Sequence, residues 1–295
     1  MKRDVILILE GGTVQGVFSA GALSVFEKNN LYPRIDSVYA VSAGAHNAAY
    51  FLSHKTKEMN KVFQEFLGKK HKFMRQLSPK IIFSKIMRLM IWNETFDIMN
   101  LEYIEHIERE VLQIDQERIK KSPIKFFVKV FDRKTFKAKL LDAKEDTLKR
   151  LIESANLPPY VNTRLKDYRY IDGGIMPNRH FIKHVIKKNP SKKIVYMYNE
   201  KKTIKKVLRH LYVDLGDIIL KTRHFGFRYG WKHLRNVLNY PYVWAVNKFP
   251  NTYVIYDSTG NSKRKINKDK INAAFEDGVR KGKLILHELN HPIKK

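Results

Sequence analysis

The segment that decides the fold is residues 4–26, which read DVILILEGGTVQGVFSAGALSVF. Its first apolar run predicts a strand buried on both faces, because helices cover both sides of a parallel sheet. Glycines follow the run at once, and residues 17–26 then have the small and apolar residues of a packed helix. The segment therefore predicts a strand, a glycine-rich turn and a helix.

A second unit of the same kind follows. Residues 37–41 predict a short strand that leads into Ser42, and the Ala-rich residues 43–52 predict a helix. A βαβα order implies a right-handed crossover and a parallel sheet. Further strands are predicted at 125–131, 138–142, 168–171, 194–198 and 252–256, and a last helix at 268–281.

These elements predict an α/β fold with two parts. Residues 4–200 should form a three-layer α/β/α domain with a mostly parallel central sheet. Residues 201–295 should form a smaller, basic and mainly helical C-terminal extension with a late strand. The length of 295 residues fits one large domain, or one domain with an appendage.

The composition excludes several classes of protein. The chain has no cysteine, which excludes a disulfide-stapled module, a thiolate metal site and a cysteine nucleophile. No apolar run reaches the roughly 18 residues of a membrane span. The apolar run near the N-terminus is also too short for the core of a signal peptide. We therefore expect a cytoplasmic protein, with peripheral attachment to a membrane left open.

Positive charge is the strongest compositional feature. The chain has 57 Lys and Arg against 29 Asp and Glu, a net charge of +28. Residues 181–295 hold 26 basic and 8 acidic residues, so this part alone carries 26 − 8 = +18. Such a field attracts nucleic acid or an anionic lipid surface. The alternative is a lysine-rich surface that serves only solubility.

Three candidate sites follow predicted strands, where open α/β sheets bind their ligands. The first is the glycine-rich turn at residues 10–16, EGGTVQG. Its backbone N–H groups lie at the positive end of a helix, so it suits a phosphate or an oxyanion hole. The dinucleotide pattern fails because Thr13 replaces the middle glycine, and no Gly-Lys-Ser/Thr follows for a phosphate loop.

The other two candidates are a serine and a carboxylate. Ser42 lies between small residues in the sequence AVSAGA at 40–45, which fits a nucleophile elbow between strand and helix. The alternative is a serine that caps the helix. Asp172 precedes two glycines at the end of a predicted strand, which fits an acid held in an open site or a plain Asp-Gly turn.

Taken in order, these motifs resemble those of the patatin-like phospholipases. Residues 9–21, LEGGTVQGVFSAG, resemble the family's glycine-rich oxyanion segment, and residues 38–45, VYAVSAGA, its elbow. Residues 154–159, SANLPP, and 170–174, YIDGG, resemble the segment before the family's aspartate and its D-G-G motif. The resemblance covers about residues 4–200. Thr13, Gln15 and Ala40 depart from the family pattern.

The resemblance implies a lipid acyl ester hydrolase of the phospholipase A or lysophospholipase type that needs no cofactor. Ser42 would attack the ester carbonyl and Asp172 would accept its proton, which makes a dyad instead of a triad. The N–H groups of Gly11, Gly12, Thr13 and Ala43 would form the oxyanion hole.

Histidines offer two further interpretations. His46 lies one helical turn after Ser42 and could be its base, although a residue at the pocket rim is the favoured interpretation. His180 and His184 have the i, i+4 spacing of metal ligands, but no third ligand is indicated, so we predict a solvated helix face and no metal.

Two segments could meet a membrane. Residues 81–92 combine apolar side chains, cations and a Trp, which fits either an interfacial helix or a core helix. Residues 201–247 are basic and aromatic. We expect a lipid substrate and an anionic membrane surface as partners. Nucleic acid is disfavoured because no nucleic-acid-binding motif is evident. The alternative function is a weak or inactive enzyme that binds membrane or nucleic acid, and the oligomeric state is left open.

Overall fold

The computed structural model describes residues 2–66, 73, 84, 87–88, 98–158, 160–161, 169–175, 179–199, 222, 226–227, 249–260 and 268–291. The strands are β1 (Val5–Leu9), β2 (Ile35–Ala40), β3 (Lys125–Asp132), β4 (Lys137–Asp142), β5 (Tyr170–Asp172), β6 (Lys193–Tyr198) and β7 (Thr252–Tyr256). The helices are α1 (Val17–Lys28), α2 (Ala43–Leu52), α3 (Thr56–Lys61), α4 (Leu101–His106), α5 (Gln116–Lys121), α6 (Thr147–Ala155), α7 (Arg179–Lys188) and α8 (Lys268–Asn290). Single 3₁₀ turns lie at Thr13–Gly16, Tyr32–Arg34 and Gly173–Ile175, and π turns at Val62–Phe66 and Ile107–Val111.

The described strands form one mixed sheet in the order β4-β3-β2-β1-β6-β7, with β5 also paired to β3. The pairs β3–β2, β2–β1, β1–β6 and β6–β7 are parallel. Strands β4 and β5 are antiparallel to β3. This topology confirms the mostly parallel sheet, and it brings the carboxyl ends of β1 and β2 side by side.

Apolar residues alternate between the two faces of β1. Val5, Leu7 and Leu9 belong to the larger core, which also contains residues of α1, α2, α4, α6 and α8. Ile6 and Ile8 belong to a second core with α7. All five side chains are at most 1% exposed. Helices therefore cover both faces of the sheet, and the predicted three-layer α/β/α architecture is confirmed.

The late strand and last helix of the predicted C-terminal extension join this architecture. β7 pairs with β6 at the end of the sheet, and α8 packs along α1. α8 also extends nine residues beyond the predicted end at 281. Gly282 lies within the helix although glycine favours helix ends, and a Cβ there would lie 3.1 Å from Ala22 of α1. That glycine allows close helix packing.

Most of the segments predicted to meet a membrane, at 81–92 and 201–247, lie outside the described residues. Within the described part of the chain, no helix is both long and apolar enough to cross a membrane.

Candidate active site

Ser42 occupies a sharp turn between β2 and α2. Its φ of 52° and ψ of −129° lie outside the regions that non-glycine residues prefer. Its side chain makes no capping hydrogen bond to α2, so the capping interpretation does not explain this conformation. The turn is tight because Gly44 has no side chain, and a Cβ there would lie 2.5 Å from the carbonyl oxygen of Glu10.

The glycine-rich turn after β1 packs against this elbow. A Cβ on Gly11 would lie 3.0 Å from the Cβ of Ser42, and one on Gly16 would lie 3.1 Å from the Cβ of Ala43. Gly12 and Thr13 both have positive φ, of 144° and 54°. The segment predicted as an oxyanion hole therefore directly borders Ser42.

Two buried asparagines fix the glycine-rich turn, and sequence reasoning missed both. Asn199, which follows β6, donates to the carbonyl oxygen of Glu10 at 2.6 Å and accepts from the amide of Ser19 at 3.2 Å. Asn47 of α2 donates to the carbonyl oxygen of Gly16 at 2.7 Å. They tie the turn to the start of α1 and to α2, so its backbone is held in place.

Asp172 lies at the same end of the sheet as Ser42, but β5 places it there through its pairing with β3. Ala40 at the end of β2 pairs with Val128 of β3, and Asp172 pairs with Val130, two residues further along β3. Since β4 occupies the opposite edge of this part of β3, β2 and β5 lie along one edge. Two residues of a strand span roughly 7 Å. The backbone of Asp172 therefore lies near the point where the chain turns at Ser42.

Residues at the end of α6 accept hydrogen bonds from the backbone of both Ser42 and Asp172. The Ser42 amide donates to Ser154 Oγ at 2.8 Å, and the Asp172 amide donates to the carbonyl oxygen of Asn156 at 2.8 Å. Ser154 Oγ in turn donates to the carbonyl oxygen of Lys129 on β3 at 3.2 Å. The segment that resembles the family before its aspartate thus links the elbow to the acid.

Asp172 is buried and its side chain is fixed. It is 5% exposed, and its Oδ1 accepts the amide of Gly174 at 2.7 Å. Gly173 must be a glycine, because a Cβ there would lie 2.4 Å from the carbonyl oxygen of Lys129. The Asp-Gly-Gly sequence therefore lets β5 pack closely on β3 and holds the carboxylate at the strand end.

Lys129 is a fully buried cation beside this acid. Burial lowers the pKa of Lys129 to about 8, and the negative charges of Glu10 and Asp172 oppose that shift. Glu10 Oε1 accepts the hydroxyl of Tyr196 at 2.5 Å. The only sequence signal for this group was a lysine within an apolar strand, which is ordinarily the sign of an exposed position.

A cleft opens beside Ser42. Its empty volume is about 530 Å³, including the part open to solvent. More than half of its lining residues are apolar: Ala43, Val62, Phe63, Phe73, Met99, Leu101, Ile104 and Ala155. The lining also includes Thr13, Ser42, His46, Asn47, Tyr50 and Glu108. An apolar cleft beside a strained serine suits a substrate with a hydrocarbon chain.

His46 lines this cleft, as the interpretation of a residue at the pocket rim expected. Its Nδ1 lies 2.6 Å from Oε1 of Glu108, a contact that sequence reasoning missed. The side chain of His180, the first member of the other histidine pair, lies outside the described part. Among the residues that the structure describes, no group of three His, Asp or Glu side chains is placed to hold a metal ion.

The fold and site define a class: an α/β protein with a serine at a strand-to-helix elbow, a glycine-rich turn against it and a carboxylate at a neighbouring strand end. A sequence model of the patatin-like phospholipase family matches residues 7–182. The match covers more than half of the chain, and the protein belongs to the patatin-like phospholipase family. Family membership supports the hydrolysis of lipids.

Solved structures similar to this chain include two bacterial proteins. VipD from Legionella pneumophila has a TM-score of 0.49 and 12% identity, over 97% of this chain and 67% of that one. ExoU, in its heterodimeric complex with SpcU from the type III secretion system of Pseudomonas aeruginosa, has a TM-score of 0.28 and 16% identity. That similarity covers 81% of this chain, which spans about half (52%) of the ExoU chain. No curated protein sequence matches this chain.

Proposed function

We propose that the protein is a lipid acyl ester hydrolase of the phospholipase A or lysophospholipase type. Ser42 is the nucleophile and Asp172 is the base. The hydroxyl oxygen of Ser42 attacks the ester carbonyl carbon while its proton passes to Asp172, and Asp172 returns that proton to the leaving alcohol. In the substrate complex, Ser42 Oγ and the Asp172 carboxylate come within hydrogen-bond reach, about 2.6–3.2 Å.

The observation that carries this proposal is the strained backbone of Ser42 at the mouth of an apolar cleft. A non-glycine residue at φ 52° costs free energy, and such strain persists at functional sites where the surroundings enforce it. The shared anchoring of Ser42 and Asp172 by the end of α6 supports the pairing of these two residues.

The oxyanion hole consists, in this proposal, of the N–H groups of Gly11, Gly12, Thr13 and Ala43. The packing of Gly11 on Ser42 supports this role, as does the position of Thr13 and Ala43 in the lining of the cleft. Thr13 replaces a family glycine, but it adopts a positive φ of 54°, which a glycine adopts readily, and it keeps its N–H group. One such donor contributes roughly 100-fold to 1000-fold in rate in other enzymes.

Ester hydrolysis by matched variants tests the dyad. With a short-chain p-nitrophenyl ester, Ser42→Ala and Asp172→Asn should each lose at least about 100-fold in kcat, the low end of what a proton acceptor contributes. Ser24→Ala on α1, whose hydroxyl donates to the carbonyl oxygen of Gly21 in the same helix, is the control and should keep wild-type activity. Equal hydrolysis by wild type and Ser42→Ala would contradict the proposal. Fatty acid release from phosphatidylcholine and lysophosphatidylcholine then distinguishes the two substrate types.

We further propose that the positive charge of the chain brings the enzyme to an anionic membrane surface. The net charge of +28, with +18 in residues 181–295, supports this proposal. A lipid substrate requires contact with a membrane or micelle surface, and cations near the surface increase the time that the enzyme spends there.

A further inference from the structure

The cleft beside Ser42 contains a partly buried histidine paired with a buried carboxylate, and the proposed Ser–Asp dyad does not use this pair. His46 Nδ1 and Glu108 Oε1 are 2.6 Å apart, and the two side chains are 13% and 2% exposed. Glu108 comes from the π turn after α4, 62 residues further along the chain. A contact of this length between a ring nitrogen and a carboxylate is a charge-assisted hydrogen bond.

His46 lies close enough to Ser42 along α2 to act near it. His46 lies four residues after Ser42, which is about 6 Å along the axis of α2. Side chains on a helix lean towards its N-terminus, so the imidazole leans towards the elbow. Both residues line the same cleft. Because Nδ1 is engaged by Glu108, Nε2 is the ring nitrogen that remains to accept a proton.

Glu108 is suited to stabilise positive charge on this ring. Its Oε2 is buried and accepts no hydrogen bond from the residues that the structure describes. A carboxylate that accepts Nδ1–H fixes the tautomer in which Nε2 can accept a proton, and it stabilises the imidazolium that forms. The pair therefore has the geometry of a histidine base with its orienting acid.

The other groups around the cleft do not compete for this role. Tyr50 of α2 is neutral, because burial and the charges of Glu108 and Glu58 of α3 raise its pKa well above 10. The π turn after α3 contributes Val62 and Phe63, and α6 contributes Ala155. Besides Tyr50, His46 and Glu108 are thus the ionisable side chains among the described residues that line the cleft.

We propose that His46, oriented by Glu108, is the base that activates water for hydrolysis of the acyl-enzyme; this inference rests on the proposed function. The water oxygen attacks the carbonyl carbon of the ester on Ser42, and one water proton passes to Nε2 of His46. The bond between that carbon and Ser42 Oγ then breaks. Oγ takes the proton back from Nε2, the carboxylic acid leaves, and the imidazole is neutral again. Asp172 serves the preceding step, in which the alcohol leaves.

The test is to measure the acyl-enzyme directly. During turnover of a p-nitrophenyl ester, intact mass spectrometry should find Ser42 acylated in most molecules of His46→Gln and in few molecules of wild type. Steady-state kcat should fall by about 100-fold, the low end for a general base. The pH profile of kcat should lose one ionisation. Glu108→Gln should show the same changes to a smaller degree. His54→Gln, just beyond α2 and stacked on Tyr32, is the matched control and should change neither quantity.

Imidazole rescue separates chemistry from folding. Free imidazole should restore turnover of His46→Ala by at least about 10-fold and should not affect wild type, because only the variant has room for the added base. Turnover that depends on Ser42 but shows no acyl-enzyme in His46→Gln and no rescue in His46→Ala would overturn the inference and leave the proposed function standing. Hydrolysis that does not depend on Ser42 would overturn both.

Discussion

At the scale of single residues, the site combines strain with close contacts that enforce it. Thr13 and Ser42 both have φ above 50°, and such sparsely populated conformations cost a non-glycine residue roughly 1–3 kcal/mol. The amide of Ala45 donates to the carbonyl oxygen of Ser42 at 2.7 Å, and Ser154 accepts the Ser42 amide. These contacts stabilise the elbow, so the backbone of Ser42 is held at the carboxyl end of β2 before any substrate arrives.

Lys129 gives a residue-scale prediction about pH. Its pKa of about 8 in the folded protein is below the value of about 10.4 for an unfolded lysine. Between those values the unfolded chain binds more protons, so the contribution of Lys129 to the free energy of unfolding rises with pH. Relative to Lys129→Met, wild type should gain roughly 1 kcal/mol per pH unit between pH 8 and 10.

Chemical denaturation at several pH values measures this difference. Lys125→Met, at the exposed start of the same strand, is the control for the loss of a lysine from β3. Curves of wild type and Lys129→Met that stay parallel from pH 7 to 10 would show that the burial of Lys129 has no such effect.

At the scale of elements, local sequence predicts much of the site but not the contacts between distant segments. The elbow, the glycine-rich turn and Asp172 could be predicted, because each lies in a short motif at the end of an apolar strand. Glu108 could not, because its contact with His46 depends on how the α4 region packs over α2. The predicted end of α8 at residue 281 was wrong for the same reason. Gly282 lies within the helix because α8 packs closely on α1 there, and local sequence does not show that packing.

The crossing of α1 and α8 gives an element-scale prediction. A Cβ on Gly21 would lie 2.1 Å from the carbonyl oxygen of Phe275, and one on Gly278 would lie 2.0 Å from that of Phe18. Both distances are too short for a side chain, so the two helices must separate. Gly21→Ala and Gly278→Ala should each lower the free energy of unfolding by about 1–3 kcal/mol, as overpacked cores do.

Equilibrium unfolding in urea measures the free energy of unfolding of these two variants. Leu284→Ala is the control on the same helix, because Leu284 is 54% exposed, and it should change the free energy by less than about 0.5 kcal/mol. Wild-type stability in both glycine variants would mean that α8 packs on α1 less closely than these distances require. Retained folding with a lower midpoint would also link the C-terminal helix to the stability of the sheet domain.

At the scale of the whole molecule, the proposal of membrane binding rests on the net positive charge of the chain. The sheet domain supplies an apolar cleft, and the chain carries a net charge of +28 that is concentrated after residue 180. If the partner is an anionic bilayer, binding to vesicles should increase with their content of anionic lipid. Binding should weaken as salt shortens the screening length from about 10 Å at 0.1 M to about 3 Å at 1 M.

A variant that lacks four lysines in the sequence after β6 tests this prediction. Replacement of Lys201, Lys202, Lys205 and Lys206 by Ser removes four positive charges, each worth about 1 kcal/mol near an anionic surface before screening. Vesicle binding should therefore weaken. Hydrolysis of a soluble p-nitrophenyl ester should stay at the wild-type level, because Ser42 and Asp172 are held by β2, β3, β5 and α6.

Salt dependence alone cannot distinguish a membrane from nucleic acid, because cations bind phosphate groups in both. The deciding experiment compares vesicle sedimentation with gel shifts of DNA and RNA at one ionic strength. Preference for anionic over neutral vesicles, with weak and sequence-independent binding of nucleic acid, is the expected result. Tight binding of nucleic acid without that preference would overturn the membrane proposal, while the Ser42 and Asp172 variants would still test hydrolysis independently.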